Sequence, residues 1–287
     1  MIDIPGVRTR IALLDIPGTD STAPVRVFLH GLGSSSIATF PEIVAHPALR
    51  RSRSVLIDLP GFGYSSAASK VTKSASRNAA IRFSSDSDDS NEFDIEIESQ
   101  AEVVARILEH LELSHAHVVG HSMGGSIAVS LAYVRPDLVS HLTVAEANLD
   151  LGHGTLGTHI IRRTEAAFVE DGYSNPVRGI QQQQALRGEG NAAIFLGTLL
   201  QASPLAMYRA AASLLAERTP TFRDQFIHAR MSRTFIAGET SNDILASDLI
   251  SHGIRFIEIP NTGHVMMDDN PEAFAEAIAS SEGNALS

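Results

Sequence analysis

Gly120-His121-Ser122-Met123-Gly124-Gly125 sets a serine between glycines two positions away on either side, directly after the apolar run Ala116-His117-Val118-Val119 and ahead of a helical pattern. A serine hydroxyl is a weak nucleophile until a neighbouring base takes its proton. In a sharp strand-to-helix turn, the glycines remove side chains that would collide, and the hydroxyl projects above the sheet. The N-terminal N–H groups of the new helix then face the spot where a carbonyl oxygen gains negative charge during acyl transfer. The competing reading is a glycine-rich turn with an incidental serine. The strand before it and the helix after it favour the catalytic reading.

Composition narrows that chemistry. Cysteine is absent, which removes thiol nucleophiles, disulfides and thiolate-bound metals. None of the twelve histidines forms a convincing ligand set with a carboxylate, so no metal and no cofactor is expected. A net charge of −11 without a basic cluster argues against a nucleic-acid partner and leaves a small-molecule substrate. The segment MIDIPGVRTR lacks the apolar core of a signal peptide, and no apolar run approaches a membrane span. A cytoplasmic protein without membrane association is the expectation.

A nucleophile of this kind needs a rigid sheet beneath it. Short β-rich runs at 25–31, 54–61, 116–122, 141–148, 233–239 and 255–260 alternate with helical patterns, which predicts a mostly parallel sheet covered by helices. Several runs are apolar almost throughout, as in strands buried on both faces. The run at 10–17 predicts an antiparallel edge. Helical patterns cover 95–113, with Ala101, Val104, Ile107, Leu108 and Leu111 on one face, then 126–134 and 271–279, the last behind an Asn270-Pro271 start. Residues 65–92, rich in Ser, Asp and Ala, read as a long solvated loop. Residues 151–231, which include the Gln181–Gln184 run, carry helical stretches and no comparable strand.

Three further stretches stand around the serine turn. His30-Gly31-Leu32-Gly33-Ser34-Ser35 follows the second strand, Asp58-Leu59-Pro60-Gly61-Phe62-Gly63-Tyr64-Ser65 the third, and Asn261-Thr262-Gly263-His264 the last. In this order the chain resembles the α/β-hydrolase superfamily, with its HG-x oxyanion loop, its D-x-P-G-x-G-x-S segment and its C-terminal Gly-His. The resemblance implies a sheet domain formed by 1–150 and 232–287, with a helical lid inserted at 151–231. It also implies Ser122 as nucleophile, His264 as general base, and the backbone N–H groups of Leu32 and Met123 as the oxyanion hole. His30 is expected to brace the oxyanion loop, and His121 to point away from the hydroxyl.

The acid is the contested member. Many members of the superfamily place it three residues after the glycine that ends the penultimate strand, and here that position is Ser241. Asp243 lies two further on, and Glu239 directly follows Gly238. A second placement, at the end of the strand after the nucleophile helix, falls on Glu146. Catalytic groups gather at the carboxyl ends of parallel strands. A carboxylate following Leu142, Val144 and Ala145 also needs a partner, and the His264 ring N–H would supply one. An arginine pair or a helix cap is the bland alternative. Glu146 is the preferred acid, Asp243 the alternative, and Glu239 and Asp150 stand behind both.

The expected activity is a serine hydrolase working through an acyl-enzyme on a small to medium, partly apolar ester or related carbonyl compound. The same residues would equally serve C–C bond hydrolysis, acyl transfer or cofactor-free perhydrolysis. A non-catalytic small-molecule-binding homologue is the reading from a different class.

Overall fold

The structure is a computed structural model that describes residues 1–7, 9–67, 95–150, 155–171, 192–239 and 246–282. Most of the Ser- and Asp-rich stretch, the Gln181–Gln184 run and Asp243 lie outside the described residues.

Seven strands form one sheet: β1 (Leu13–Ile16), β2 (Arg26–Leu29), β3 (Ser54–Ile57), β4 (Ala116–His121), β5 (Val139–Ala145), β6 (Ser232–Gly238) and β7 (Arg255–Ile259). Their spatial order is β1-β3-β2-β4-β5-β6-β7. Among these seven strands only β1 runs antiparallel, on β3; every other pairing between them is parallel. The chain moves outward from β2 to β3 and then returns to β4 on the other side of β2. That reversal opens a crevice at the carboxyl ends of β2 and β4.

Residues β2, β3 and β4 contribute are buried throughout, because helices cover both faces of the sheet. Alternation within β2 sends Val27 and Leu29 into one core and Phe28 into the other. The first core is closed by helices α4 (Ile97–His110) and α5 (Met123–Val134). Helix α4 buries Ile97, Ala101, Val104, Ile107 and Leu108, while Arg106 on the far side pairs with Glu102 one turn back. Helix α5 is buried nearly all round, and it begins three residues before its apolar pattern because Gly124 and Gly125 form its first turn.

The second core lies under short helices α1 (Ser36–Thr39) and α2 (Pro41–Ala45) and the closing helix α13 (Pro271–Ser281). Asn270 caps α13 by accepting the Ala273 N–H, with Pro271 at the first helical position. His117 lies inside β4 and is buried. It is accommodated there because Glu282 meets its Nδ1 at 2.7 Å and Thr143 Oγ1 meets its Nε2 at 2.8 Å. The same Glu282 carboxylate takes two hydrogen bonds from the buried Arg26 guanidinium, tying the end of α13 to the sheet.

Between β5 and β6 the described chain is helical: α6 (Thr155–Ile161), α7 (Glu165–Asp171), α8 (Ala192–Gln201), α9 (Pro204–Leu214) and α10 (Phe222–His228). Helix α3 (Gly63–Ala67) follows β3, while α11 (Ala246–Ser251) and α12 (Met266–Asp269) flank β7. Helix α9 rests on the loop after β3, where the Ser203 N–H donates to the Gly61 carbonyl and Ala206 packs on Gly61. Among the described residues, no helix is long and apolar enough to cross a membrane.

Candidate active site

Ser122 caps the start of α5 with φ +53° and ψ −121°, a backbone region that a side-chain-bearing residue enters only under strain. The elbow is sterically possible because of its glycines. A Cβ on Gly120 would sit 2.3 Å from the Gly124 carbonyl oxygen, and one on Gly124 would sit 2.3 Å from that of Leu29. The Ser122 N–H donates to the Ala145 carbonyl, and the Glu146 N–H donates to that of Ile236. Three strand ends are thereby brought to one level.

His264 enters from the loop between β7 and α12. Its Nε2 lies 3.0 Å from Ser122 Oγ, and its Nδ1 lies 3.5 Å from Glu146 Oε2. Its side chain is 50% exposed whereas that of Glu146 is 8% exposed, so the imidazole opens to solvent while the carboxylate stays beneath it. Glu146 itself has φ +49°, and its other oxygen accepts the Gly238 N–H at 2.8 Å. Gly238 must be bare, since a Cβ there would meet the Gly263 oxygen at 2.6 Å and block the path of the His264 loop. With a carboxylate facing Nδ1, the neutral ring carries its proton there and turns the Nε2 lone pair toward the serine hydroxyl.

Two of the other acid candidates, Glu239 and Asp150, sit elsewhere. Glu239 is exposed, and its carboxylate accepts the Asn261 N–H at 2.6 Å, holding the turn that leads to His264. Asp150 is engaged by Arg223, which also reaches Asp248. Asp150 lines a cavity of about 370 Å³ with Leu149, Glu217, Arg218 and Phe222, and neither Ser122 nor His264 borders it.

On the other side of the serine, the Ser34 N–H donates to the Gly31 carbonyl, and Gly33 takes φ +76°. In such a four-residue turn the N–H of the second residue, Leu32, is not used by the turn itself. The Met123 N–H belongs to the first turn of α5 and likewise has no partner within the helix. His30 holds this loop: its Nε2 accepts the Leu59 N–H at 3.1 Å, so its proton is on Nδ1, which donates to the Gly31 carbonyl at 2.8 Å. Burial pushes the His30 pKa down and keeps the ring neutral.

One residue beside Ser122 is not marked by its sequence pattern. Asn148 is buried, with its side-chain oxygen 3.5 Å from Ser122 Oγ and its carbonyl accepting the Ser126 hydroxyl. Its place just beyond the carboxyl end of β5 was the available signal. His121 bonds to the backbone of His264 rather than to the serine. Among the described residues, no group of three or more His, Asp or Glu side chains is disposed to hold a metal ion.

A strained serine at a strand-to-helix elbow, a histidine beside it and a buried carboxylate behind define a hydrolase-type site on a doubly covered sheet. Comparison with known proteins agrees in class. The model of the alpha/beta hydrolase family matches residues 27–277, and the chain belongs to that family. A mouse protein, the sn-1-specific diacylglycerol lipase ABHD11, is 25% identical over 277 residues, covering 91% of this chain and 81% of its own. The uncharacterized hydrolase YugF of Bacillus subtilis is 32% identical over 139 residues, covering 47% of this chain and 42% of its own. The structure of a hydrolase from Pseudomonas aeruginosa superposes with a TM-score of 0.71 over 96% of this chain and 95% of its own, at 21% identity. Some relatives match only in part: the chain spans 29% and 42% of the length of two curated proteins.

Proposed function

We propose that the chain is a serine hydrolase that cleaves a small to medium, partly apolar carboxylic ester through an acyl-enzyme. The observation that carries this reading is the 3.0 Å approach of His264 Nε2 to Ser122 Oγ at the strained elbow. His264 Nε2 takes the hydroxyl proton as Oγ attacks the carbonyl carbon. The resulting oxyanion is held by the N–H groups of Leu32 and Met123. Collapse breaks the bond to the alkoxy group, which leaves as an alcohol with the proton from Nε2. Water then gives a proton to Nε2 and its hydroxide to the acyl carbon, releasing the acid and restoring Ser122. Glu146 holds the Nδ1–H tautomer and stabilises the imidazolium.

The helices within 151–231 act as the lid over a core of 1–150 and 232–287. Leu199 and Met207 from α8 and α9 close over Gly33, next to the oxyanion donors, and so bound the acyl side with apolar groups. Relatives of the chain are named a diacylglycerol lipase, a 2-hydroxy-6-oxononadienedioate hydrolase and a non-heme haloperoxidase. An ester substrate needs nothing beyond the groups described, and C–C bond hydrolysis by the same triad, the second reading, needs nothing more.

The test is turnover of p-nitrophenyl esters of graded acyl length together with fluorophosphonate labelling. Wild type should turn over the short and medium esters and be labelled at Ser122, while Ser122→Ala should do neither. Absence of both turnover and labelling in wild type overturns the proposal.

A further inference from the structure

We infer that His121 is a positioning residue for the base: it anchors the backbone of His264 and thereby sets the Ser122–His264 approach. The inference rests on the triad reading above and adds a residue that does not touch substrate.

The need for an anchor is visible in the base itself. His264 sits on a loop with its side chain half in solvent, and its contact to Glu146 is 3.5 Å, longer than an ordinary hydrogen bond. The turn before it is held at Asn261 by Glu239 and at Gly263 by Asp269, whose Oδ2 accepts that N–H at 2.9 Å. These bonds fix the approach to residue 264 and leave its own peptide unit to be placed. That bond comes from His121, whose Nε2 lies 2.7 Å from the His264 carbonyl oxygen.

A carbonyl oxygen only accepts, so His121 must carry a proton on Nε2. The ring is buried, and burial, with the neighbouring His264 adding to it, brings its pKa down to about 3, so the ring is neutral and Nδ1 is bare. The two imidazoles lie 5.0 Å apart at 55°. A neutral His121 adds no like charge there when His264 becomes an imidazolium. The other edge of the ring abuts the oxyanion loop: a Cβ on Gly31 would lie 3.2 Å from His121 Nδ1 and 3.2 Å from Ser122 Cβ.

One ring thus spans the joint between the base loop and the oxyanion loop. Its own backbone immediately precedes the nucleophile, at the end of β4. The distance from Ser122 to the His264 peptide is set by a strand end and one side chain, not by the longer path through β7.

The experiment compares His121→Leu, His121→Asn and His121→Gln with wild type, using the second-order rate of fluorophosphonate labelling and kcat and KM for p-nitrophenyl butyrate per labelled site. Leucine fills the space without a donor, asparagine keeps a polar group that falls short, and glutamine reaches the carbonyl with an N–H. The expected result is a fall of about 10- to 100-fold in labelling rate and kcat for Leu and Asn, with KM within about twofold, from an ångström-scale misplacement of the base. Glutamine should restore both rates to within about fivefold of wild type on the same reasoning. Equal rates for Asn and Gln overturn the inference, and that pair decides it even where Leu does not fold. Wild-type rates in a folded Leu variant overturn it as well. A wild type that is never labelled overturns the triad reading itself, and this inference with it.

Discussion

Glu146→Gln is the substitution that weighs the acid assignment most directly. The carboxylate stands 3.5 Å from His264 Nδ1. At an effective dielectric of about 20, a unit charge at that separation stabilises the imidazolium by roughly 5 kcal/mol. The His264 side chain is half exposed, so water screens the pair, and about 2–3 kcal/mol is the reasonable share. That corresponds to a loss of roughly 30- to 150-fold in kcat. Glutamine can still accept the Gly238 N–H through its carbonyl oxygen, but it then turns an NH2 group toward Nδ1–H. Two facing donors push the ring toward the other tautomer and add to the loss. KM should change less than about threefold, because Glu146 lies beneath the base and away from substrate. The assay is steady-state hydrolysis of p-nitrophenyl butyrate, with active sites counted by fluorophosphonate, alongside Asp243→Asn. A Glu146→Gln enzyme within about fivefold of wild type would refute the electrostatic argument. A collapse confined to Asp243→Asn would move the acid to Asp243, between β6 and α11 in the sequence.

Other consequences concern stability. Ser122→Gly should be more stable than Ser122→Ala by about 1 kcal/mol in urea unfolding, since only glycine relieves the +53° backbone strain, and both should be inactive. Glu282→Gln should cost about 3 kcal/mol, because it takes the counter-charge from the buried Arg26 and sets an NH2 donor where Oε2 accepts the Arg26 Nη2–H. Burial holds His121 and His141 neutral, with pKa values near 3 against an ordinary 6.5; His117 contributes further at His141. The unfolded chain therefore binds protons that the folded chain refuses. Stability from these two groups is intact above about pH 7.5 and is lost as pH falls toward 3, the slope steepening to about 1.4 kcal/mol per unit for each histidine below about pH 5.5. Denaturation midpoints measured across pH 7 to 5 should follow that slope, and His141→Gln should flatten it.

Elements that depend on near neighbours are legible in the order of the residues alone. The elbow was legible because two glycines, a serine and the following helix are consecutive, and their steric requirements are met within six residues. The alternation of apolar runs with helical patterns was legible because strands covered on both faces must be apolar throughout. The Gly263-His264 pair could be assigned from its order relative to Ser122, once the resemblance was in view.

Which distant groups meet depends on how the elements pack together. Glu146, Glu239 and Asp150 are all acids at or near strand ends, and nothing local separates them. Parallel register does: β4 pairs with β5 and β5 with β6, so Ala145 stands between His121 and Ile236, and the next residue turns beneath the His264 loop. Glu239, one residue past the end of β6, is left to cap a turn. His121 and His117 read alike in sequence as histidines of one strand. Their opposite fates follow from what the fold packs against each: the His264 peptide at one end of β4, and the carboxylate of Glu282 from the closing helix at the other. A side chain's type limits what it can do, and its partner, brought in from more than a hundred residues away, decides which of those things it does.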